Sequence, residues 1–356
     1  MKIVFTVSAM ESGGAERVVS LLSNELSNRG HDVVILMAST NQKKCFYTLN
    51  NKVKLMPLLT DETLSYNYFK RVKLLKSCYL SLSPNIVISF LPHICVYTYL
   101  ALRKTKIPYI LSERNDPHQY NLVYKLLLKV AFNSANGCVF QTSDCLKWYK
   151  KNKLKISDRV IFNPVNIKPI SIINEKDRKQ NILYVGRFDK QKNYRLLLES
   201  FYIFHLKHPI FCLDVYGDGP DKDIFFKHAK KLNIMNCINY HGKDSNWFEK
   251  EYKSSIFVST SLYEGMPNTL LEAASLNIPC VATDCPIGGS KELSDIFENI
   301  FIVKNKCSAI EFANAMEKAL AYKDVMSLPK KEVSLDYITD QWLELINNII
   351  DGDHNG

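Results

Sequence analysis

Short apolar runs alternate with amphipathic stretches along the first half of the chain. The apolar runs predict β-strands at Lys2–Val7, 32–38, 86–91, 109–111 and 137–141. Between the first two runs, residues 14–27 carry apolar side chains at helical spacing. Strands that are apolar on both faces must be covered on both faces, so the alternation indicates a parallel sheet between two layers of helices.

The pattern pauses at Asn163-Pro164-Val165 and a polar stretch, 168–180, and then starts again. Further strands are predicted at Asn181–Val185, 211–216, 239–241, Ile256–Ser259 and 280–283, with helices at 193–205 and 221–232. The tail, 334–350, has the spacing of one more helix, which needs an apolar surface to cover.

We therefore predict an α/β protein of two Rossmann-like, doubly wound domains that face each other across a cleft. The first domain is expected over 1–166 and the second over 167–333, with 334–356 forming a helix that packs back on the first. Doubly wound sheets bind ligands at the carboxyl ends of their strands, so residues that follow strands are the candidates for chemistry.

The composition excludes a disordered chain, a collagen-like chain and a small disulfide-stabilised scaffold, and the net charge differs between the two halves. The chain has 356 residues, of which 46% are hydrophobic, and a net charge of +10. Ten cysteines show no Cys-x-x-Cys spacing, which favours a reducing compartment over a zinc site or a disulfide framework. Residues 1–166 carry a net charge of +13 and the rest −3, so the first half could meet an acidic surface, lipid phosphate or nucleic acid.

A glycine pair follows the first strand. In Ser12-Gly13-Gly14 the backbone can approach a ligand and leave N–H groups free at a helix start, which suits an anion. The sequence is not G-x-G-x-x-G, and no acidic residue closes the second strand, so a dinucleotide site is not indicated. A plain strand–helix turn remains an equal interpretation of these residues alone.

A second loop, 186–193 (GRFDKQKN), places two cations between a strand and a helix that Asn193 could cap. Arg187 as a forked donor and Lys192 as a point charge suit a diphosphate. The turn Gly217-Asp218-Gly219-Pro220 follows the next strand and indicates only a close approach of backbone. Asp221 and Asp223 resemble a metal motif, but we assign them to the first turn of a helix.

The segment 264–272 (EGMPNTLLE) carries one carboxylate on a loop and another on the helix that Pro267 favours. Glu264 and Glu272 could form a hydrolytic acid–base pair. They could equally accept hydrogen bonds from sugar hydroxyls. A solvated helix acid explains Glu272 poorly, because it lies inside an apolar run.

Together these segments resemble the retaining glycosyltransferases of the GT-B fold, family 4, above all the bacterial enzymes that build surface polysaccharides or lipid-linked oligosaccharides. The resemblance covers nearly the whole chain: SGGAER, NPV, GRFDKQKN, GDGP, EGMPNTLLE and TDCPIGGSKEL occur in the family's order. It implies an acceptor-binding first domain and a second domain that binds a nucleotide sugar.

The family's roles carry over to matching positions. Arg187 and Lys192 would hold the donor diphosphate, Glu264 the transferred sugar and Glu272 the ribose. Relatives carry a histidine near 112–116, where this chain offers Arg114. The remaining donor-binding positions, implied mainly through their backbone, are Gly13, Gly14, Gly217, His241, Gly242, Asn268, Thr269 and Leu270.

The resemblance also implies a mechanism. Substitution occurs on the front face, the leaving phosphate takes the acceptor proton, and the configuration of the sugar is retained. Arg187, Lys192 and a helix start would stabilise the charge that develops on the diphosphate. Neither a metal nor a cofactor is expected, because the nucleotide sugar, expected to be a UDP-sugar, is a substrate.

Two basic segments of the first half then acquire a purpose. Lys70, Arg71, Lys73 and Lys76 fall on one predicted helix, and 147–151 combines basic and aromatic residues. Both could contact anionic lipid or a polyprenyl-diphosphate acceptor, or be solvated helix faces. We expect a cytoplasmic protein that is peripheral on the cytosolic face of the inner membrane.

Three other functions are weighed against transfer. A non-hydrolysing sugar-nucleotide epimerase would share the fold, but the arrangement of 186–193 and 264–272 favours the transferase. A non-catalytic membrane-associated partner would be favoured by loss of Lys192 or Glu264, and both are present. Nucleic acid is not an expected partner, because no nucleic-acid-binding motif is found.

Overall fold

A computed structural model divides the chain into two compact units, each built on its own sheet. The first comprises residues 1–166 and 331–356, and the second 167–330. The structure describes residues 1–61, 67–151, 158–167, 173, 175–323 and 330–353.

The first unit is a sheet of seven parallel strands with helices on both faces. Its elements are β1 (Lys2–Val7), α1 (Gly14–Asn28), β2 (Asp32–Met37), β3 (Lys54–Pro57), α2 (Tyr68–Leu82), β4 (Ile86–Phe90), α3 (Pro92–Leu102), β5 (Tyr109–Ser112), α4 (Leu122–Asn133), β6 (Gly137–Phe140), α5 (Ser143–Lys151), β7 (Asp158–Val160) and α12 (Leu335–Asp353). The strand order is β3-β2-β1-β4-β5-β6-β7.

The C-terminal helix α12 belongs to the core of this unit. Its Trp342 ring stacks on Phe90 at 5.9 Å, and the helix packs against α1. Arg29 of α1 forms ion pairs with Asp336 and Asp340 on α12. Residues 331–356 carry six acidic residues and one lysine, so this segment lowers the excess positive charge of the first unit.

The second unit holds six parallel strands in the order β10-β9-β8-β11-β12-β13. Its elements are β8 (Asn181–Val185), α6 (Tyr194–Lys207), β9 (Cys212–Tyr216), α7 (Lys222–Lys231), β10 (Ile238–Gly242), α8 (Trp247–Glu251), β11 (Ile256–Ser259), α9 (Asn268–Ser275), β12 (Cys280–Asp284), α10 (Gly289–Ile296), β13 (Ile300–Lys304) and α11 (Ala309–Leu320). The two parallel-sheet units confirm the predicted α/β class.

The predictions missed three strands, and all three lie at sheet edges. β3 and β7 close the first sheet and β13 closes the second. Each is partly exposed, so the apolar pattern that reveals a central strand is diluted there.

The predicted cap of the helix after 186–193 was wrong. Asn193 stands at the N-cap of α6, but its backbone is left-handed (φ +46°) and its side chain makes no capping hydrogen bond. Instead, the Asp189 carboxylate accepts a hydrogen bond from the Lys192 amide at 3.2 Å. The cap therefore closes the 3-10 turn that carries Lys192, one step before the helix.

Each sheet has one point where the strand order reverses. In the first sheet this lies between β1 and β4, and in the second between β8 and β11. Open parallel sheets bind ligands outside the carboxyl ends of the strands at such points. The glycine pair follows β1, whereas GRFDKQKN follows β8 and EGMPN follows β11, so sheet order brings the last two together.

Candidate active site

Lys192 and Glu264 meet at the reversal point of the second sheet. The Lys192 ammonium forms an ion pair with the Glu264 carboxylate, and both side chains are largely buried. Ser261 Oγ donates to the same carboxylate at 2.8 Å. A cation held in place by a hydrogen-bonded acid leaves little conformational freedom to lose when a ligand arrives.

The two loops that carry this pair are bonded to each other. Gln191 Nε2 donates to the Tyr263 carbonyl at 2.8 Å, and Thr260 Oγ1 donates to the Lys192 carbonyl at 2.8 Å. The Leu262 amide donates to the Gln191 carbonyl at 2.8 Å. The pair is therefore fixed by backbone contacts as well as by charge.

Residues at the end of β12 and just after it support the Glu264 loop. Thr283 Oγ1 and Cys285 Sγ both donate to the Ser261 carbonyl, at 2.5 and 3.1 Å. A Cβ at Gly289 would lie 1.8 Å from the Gly265 carbonyl oxygen, so only glycine fits there. Sequence reasoning had placed the segment TDCPIGGSKEL in the family without giving it this positioning role.

Arg187 lies on the same loop as Lys192 but faces solvent. Its Nε donates to Asp189 at 2.6 Å, and its side chain is 66% exposed. Asp189 therefore orients Arg187 while it caps the turn before Lys192. An exposed guanidinium whose Nε is held by a neighbouring carboxylate is suited to donate its other N–H groups to an arriving anion.

Gly217 is required by a close backbone approach. Its φ is +139°, and a Cβ there would lie 1.9 Å from the Gly186 carbonyl oxygen. Its amide donates to the Gly242 carbonyl at 2.7 Å, where Gly242 itself has φ +72°. The glycines of three strand ends thus pack together and shape the loop that carries Arg187.

His241 presents a stacked, hydrogen-bonded ring. The ring stacks on Tyr216 at 4.4 Å, and Nε2 lies 2.7 Å from Asp214 Oδ1. Asp214, His241 and Glu251 form the one cluster among the described residues whose ligand atoms lie close enough for a metal ion. Lys179 and Tyr216 already donate to Glu251, at 2.8 and 2.9 Å, so protein donors occupy those oxygens.

The helix α9 begins at Asn268, directly after Pro267, as its sequence predicts. The amides of Asn268, Thr269 and Leu270 precede the first intrahelical bond, from the Leu271 amide to the Pro267 carbonyl at 3.1 Å. Helix geometry gives such amides no partner within the helix. Glu272 lies in the second turn and is buried, at 6% exposed.

In the first unit, Gly13 and Gly14 form the start of α1. Gly13 is the N-cap residue, and its carbonyl accepts a hydrogen bond from the Tyr47 hydroxyl at 3.0 Å. A Cβ at Gly13 would lie 2.1 Å from a Glu16 carboxylate oxygen. Glu16 therefore already places a negative charge against this helix start, as an anionic ligand would.

Arg114 follows β5 and is buried, at 6% exposed. Its guanidinium lies 4.3 Å from the centre of the Phe90 ring, and NH1 donates to Asn163 at 2.6 Å. Nε and NH2 have no hydrogen-bond partner among the described residues. Burial lowers the pKa of Arg114 to about 9, so the group still carries its charge at neutral pH.

The neighbouring Glu113 is buried too, and burial raises its pKa while hydrogen bonds oppose the rise. Its oxygens accept from the Tyr149 hydroxyl at 2.6 Å and the Tyr120 hydroxyl at 3.0 Å. Glu113 is thus satisfied within the core. Arg114, by contrast, keeps two nitrogens for which the described part of the chain offers no acceptor.

Sequence reasoning missed one pair at the reversal point of the first sheet. Ser8 follows β1, His93 lies in the first turn of α3 after β4, and Ser8 Oγ is 2.5 Å from His93 Nε2. Leu91, just before α3, has φ +76°, which is unusual for a branched side chain. We add this pair to the candidate site. The signal available in the sequence was a polar residue within three positions of the end of each of two apolar strands.

The predicted basic helix is α2. Lys70, Lys73 and Lys76 are exposed along it and Arg71 is half-buried. Asn67 caps its start through the Lys70 amide at 3.2 Å. Within the part of the chain that the structure describes, no helix combines the length and apolar character that crossing a bilayer requires.

Comparison with known proteins assigns both halves of the chain to glycosyltransferase families. Residues 12–168 match the family described as Glycosyltransferase Family 4, and residues 167–332 match Glycosyl transferases group 1. The two matches join within two residues of the boundary between the structural units.

Relatives and solved structures agree with this assignment. The chain is 24% identical over 367 residues (98% of this chain, 99% of the relative) to a Campylobacter jejuni α-1,4-N-acetylgalactosaminyltransferase named for an undecaprenol-diphosphate-linked oligosaccharide. It is 36% identical over 136 residues (36% of this chain, 37% of the relative) to the lipopolysaccharide 1,6-galactosyltransferase of Escherichia coli. TarM of Staphylococcus aureus, solved with UDP, superimposes with a TM-score of 0.79 at 14% identity, covering 97% of this chain and 99% of TarM.

Proposed function

The chain is a glycosyltransferase of the GT-B fold, family 4, and from this membership we propose that it moves a sugar from a UDP-sugar to a lipid-linked or surface-polysaccharide glycan. The observation that carries the proposal is the Lys192–Glu264 pair at the reversal point of the second sheet, with Arg187 on the same loop. Two cations beside a helix start form a site for a diphosphate, and the acid beside them suits sugar hydroxyls.

The donor would bind in the second unit. Its diphosphate would lie against Lys192, Arg187 and the first amides of α9, where the helix dipole favours negative charge. Glu264, which is bonded to Lys192 and Ser261, would accept hydrogen bonds from the transferred sugar. Glu272, buried in α9, would hold the ribose, and the base would lie by His241.

The chemical step would need no protein base. As the bond to the leaving diphosphate breaks, charge develops on its oxygens, where Arg187, Lys192 and the α9 amides stabilise it. An oxygen of the leaving phosphate takes the proton of the attacking acceptor hydroxyl. The acceptor therefore attacks the same face of the sugar from which the diphosphate departs, and the configuration of the sugar is retained. The protein's cations replace a metal in this scheme.

The acceptor would bind in the first unit. The names of relatives from Campylobacter jejuni include undecaprenol diphosphate, and such an acceptor joins a sugar hydroxyl to a membrane lipid. Gly13, Gly14, the Ser8–His93 pair and Arg114 are the residues of this unit that we propose to meet it or the donor. The enzyme would work as a peripheral protein on the cytosolic face of the inner membrane, with α2 towards anionic lipid.

The test is transfer itself. Purified protein is incubated with each of a panel of UDP-sugars and a membrane lipid extract, and products are read by mass spectrometry. A glycolipid that is heavier by one sugar residue and sensitive to an α-glycosidase supports transfer with retention. Isomerised nucleotide sugar without a glycolipid product would instead identify an epimerase and overturn the proposal.

A further inference from the structure

The helix α4 leaves a stripe of large apolar side chains in solvent. Its exposed members are spaced four residues apart along two adjacent lines, 43–78% exposed: Leu122, Leu126 and Val130 on one line and Val123 and Leu127 on the other. Soluble proteins rarely expose so contiguous an apolar patch unless something binds it.

The opposite face of α4 packs into the interior of the first unit. Leu128, Ala131 and Phe132 are buried, and the Phe132 ring stacks on Phe140 at 5.8 Å and on Tyr149 at 5.0 Å. The outward stripe is therefore not needed to fold the first unit. An amphipathic helix would carry polar residues there.

Positive charge lies in the same layer of helices as the stripe. α2 and α4 together carry six Lys and Arg residues and no Asp or Glu. α3 lies between them and contacts both, and Tyr68 at the start of α2 packs on Tyr97 of α3 at 4.8 Å. Phe69, beside Tyr68, adds another ring that is 78% exposed. Apolar and cationic side chains therefore share one layer of helices.

The combination of apolar and cationic side chains indicates which kind of partner binds this face. Two copies of the face joined to each other would bring like charges together, which opposes self-association. A bilayer with anionic headgroups complements the cations and accepts the apolar side chains in its acyl region. The exposed stripe spans about 12 Å along the helix axis, which suits a helix that lies flat in the interface.

We propose that the outward stripe of α4 inserts into an anionic lipid bilayer, while the cations of α2 and α4 contact the headgroups. The inference rests on the proposed function in one respect: a lipid-linked acceptor gives the enzyme a reason to stay at a membrane. It differs from the sequence prediction, which named the basic residues of α2 and the segment 147–151 as the candidates for membrane contact, and not α4.

The experiment is co-sedimentation of the full chain with phosphatidylcholine vesicles, with and without phosphatidylglycerol. We expect wild type to bind the anionic vesicles. The double variant Leu126→Gln/Val130→Gln should bind them at least about tenfold more weakly, because two apolar side chains lose their burial in lipid. The matched control, Leu206→Gln/Ile210→Gln, changes two residues of the second unit that are 65% and 61% exposed and should bind as wild type does.

Salt separates the two contributions. The residual binding at high salt should depend on α4, and the variant Lys70→Glu/Lys73→Glu/Lys76→Glu should lose the preference for phosphatidylglycerol but keep that residual binding. The thermal unfolding midpoint of every variant without ligand checks that the chain is folded, and stabilisation by UDP is measured beside it. Failure of UDP to stabilise any of them would count against the proposed donor and leave the vesicle result unaffected.

Three outcomes would overturn the inference. The α4 variant and its control could bind vesicles equally. Wild type could fail to bind anionic vesicles at all. Wild type could also sediment as a dimer that Leu126→Gln/Val130→Gln dissociates, which would assign the stripe to a second copy of the chain.

Discussion

The reversal points of the two sheets carry different chemistry. In the second unit, charged groups meet already paired: Lys192 with Glu264 and Arg187 with Asp189. In the first unit, the corresponding point carries a neutral pair, Ser8 with His93, beside a glycine helix start. Burial lowers the pKa of His93, which keeps that ring neutral at neutral pH.

The difference indicates a division of labour. A diphosphate carries localised charge, so its binding offsets the free-energy cost of holding cations in place. Sugar hydroxyls need only directed hydrogen bonds. A charged pair at one reversal point and a neutral pair at the other therefore fit the donor and acceptor roles that we propose for the two units. Removing charge should be costly in the second unit, and removing a neutral donor should be milder in the first.

Lys192→Ala is expected to have the largest effect. Loss of the cation that we propose to face the developing phosphate charge should lower kcat/KM for transfer by about a hundredfold to a thousandfold. The control is Lys190→Ala, which removes an exposed cation from the same 3-10 turn and should stay within about twofold of wild type. Equal losses in the two variants would mean that only the overall charge of the loop matters.

Arg114→Met comes next and separates binding from folding. The buried guanidinium costs desolvation and keeps two nitrogens without acceptors among the described residues, so its removal should leave the thermal unfolding midpoint unchanged or raised. Transfer should fall by about tenfold or more, because a charge-assisted hydrogen bond to substrate is lost. Arg103→Met, which changes an exposed arginine, is the control. A lowered midpoint with normal transfer would make Arg114 purely structural.

His93→Ala should have a smaller effect, confined to the acceptor. We expect the KM for the acceptor to rise by up to about tenfold, the cost of one neutral hydrogen bond, with stabilisation by UDP unchanged. Steady-state kinetics with the acceptor varied at saturating donor would measure it. A change in donor binding instead would contradict the assignment of the Ser8–His93 pair to the acceptor.

Chelation should have the smallest effect. Addition of EDTA is expected to leave the transfer rate unchanged, because the cations of the second unit would take the role of a metal. The assay is the initial rate with and without chelator, followed by added Mg²⁺. A strict requirement for Mg²⁺ would contradict this and direct attention to Asp214, His241 and Glu251.

Sequence reasoning predicted the charged reversal point better than the neutral one. Lys192 and Glu264 lie in long motifs after apolar strands, so their place at a sheet edge followed from local pattern. Their contact did not, because it depends on β8 and β11 being neighbours in the sheet although five elements, α6, β9, α7, β10 and α8, lie between them in the chain. Ser8 and His93 had no motif around them and became a pair only through the neighbouring positions of β1 and β4.

The α4 stripe shows a different limit. Periodicity identifies a helix by its apolar face, but residues 122–133 are apolar on both faces. Which face would be buried depends on the strand it covers, and the sequence alone does not state this. Basic residues at 70–76 and 147–151 are visible in the sequence, so the prediction of membrane contact fell on those two segments and not on α4.

The proposed function depends most on Lys192, through which we propose that the second unit holds a nucleotide diphosphate. The most direct test is the thermal unfolding midpoint of wild type and Lys192→Ala with UDP, GDP, ADP, dTDP and, as a control, NAD. We predict that UDP alone stabilises wild type and that Lys192→Ala loses most of this gain. Stabilisation by none of them, or equal stabilisation of the two proteins by UDP, would contradict the account.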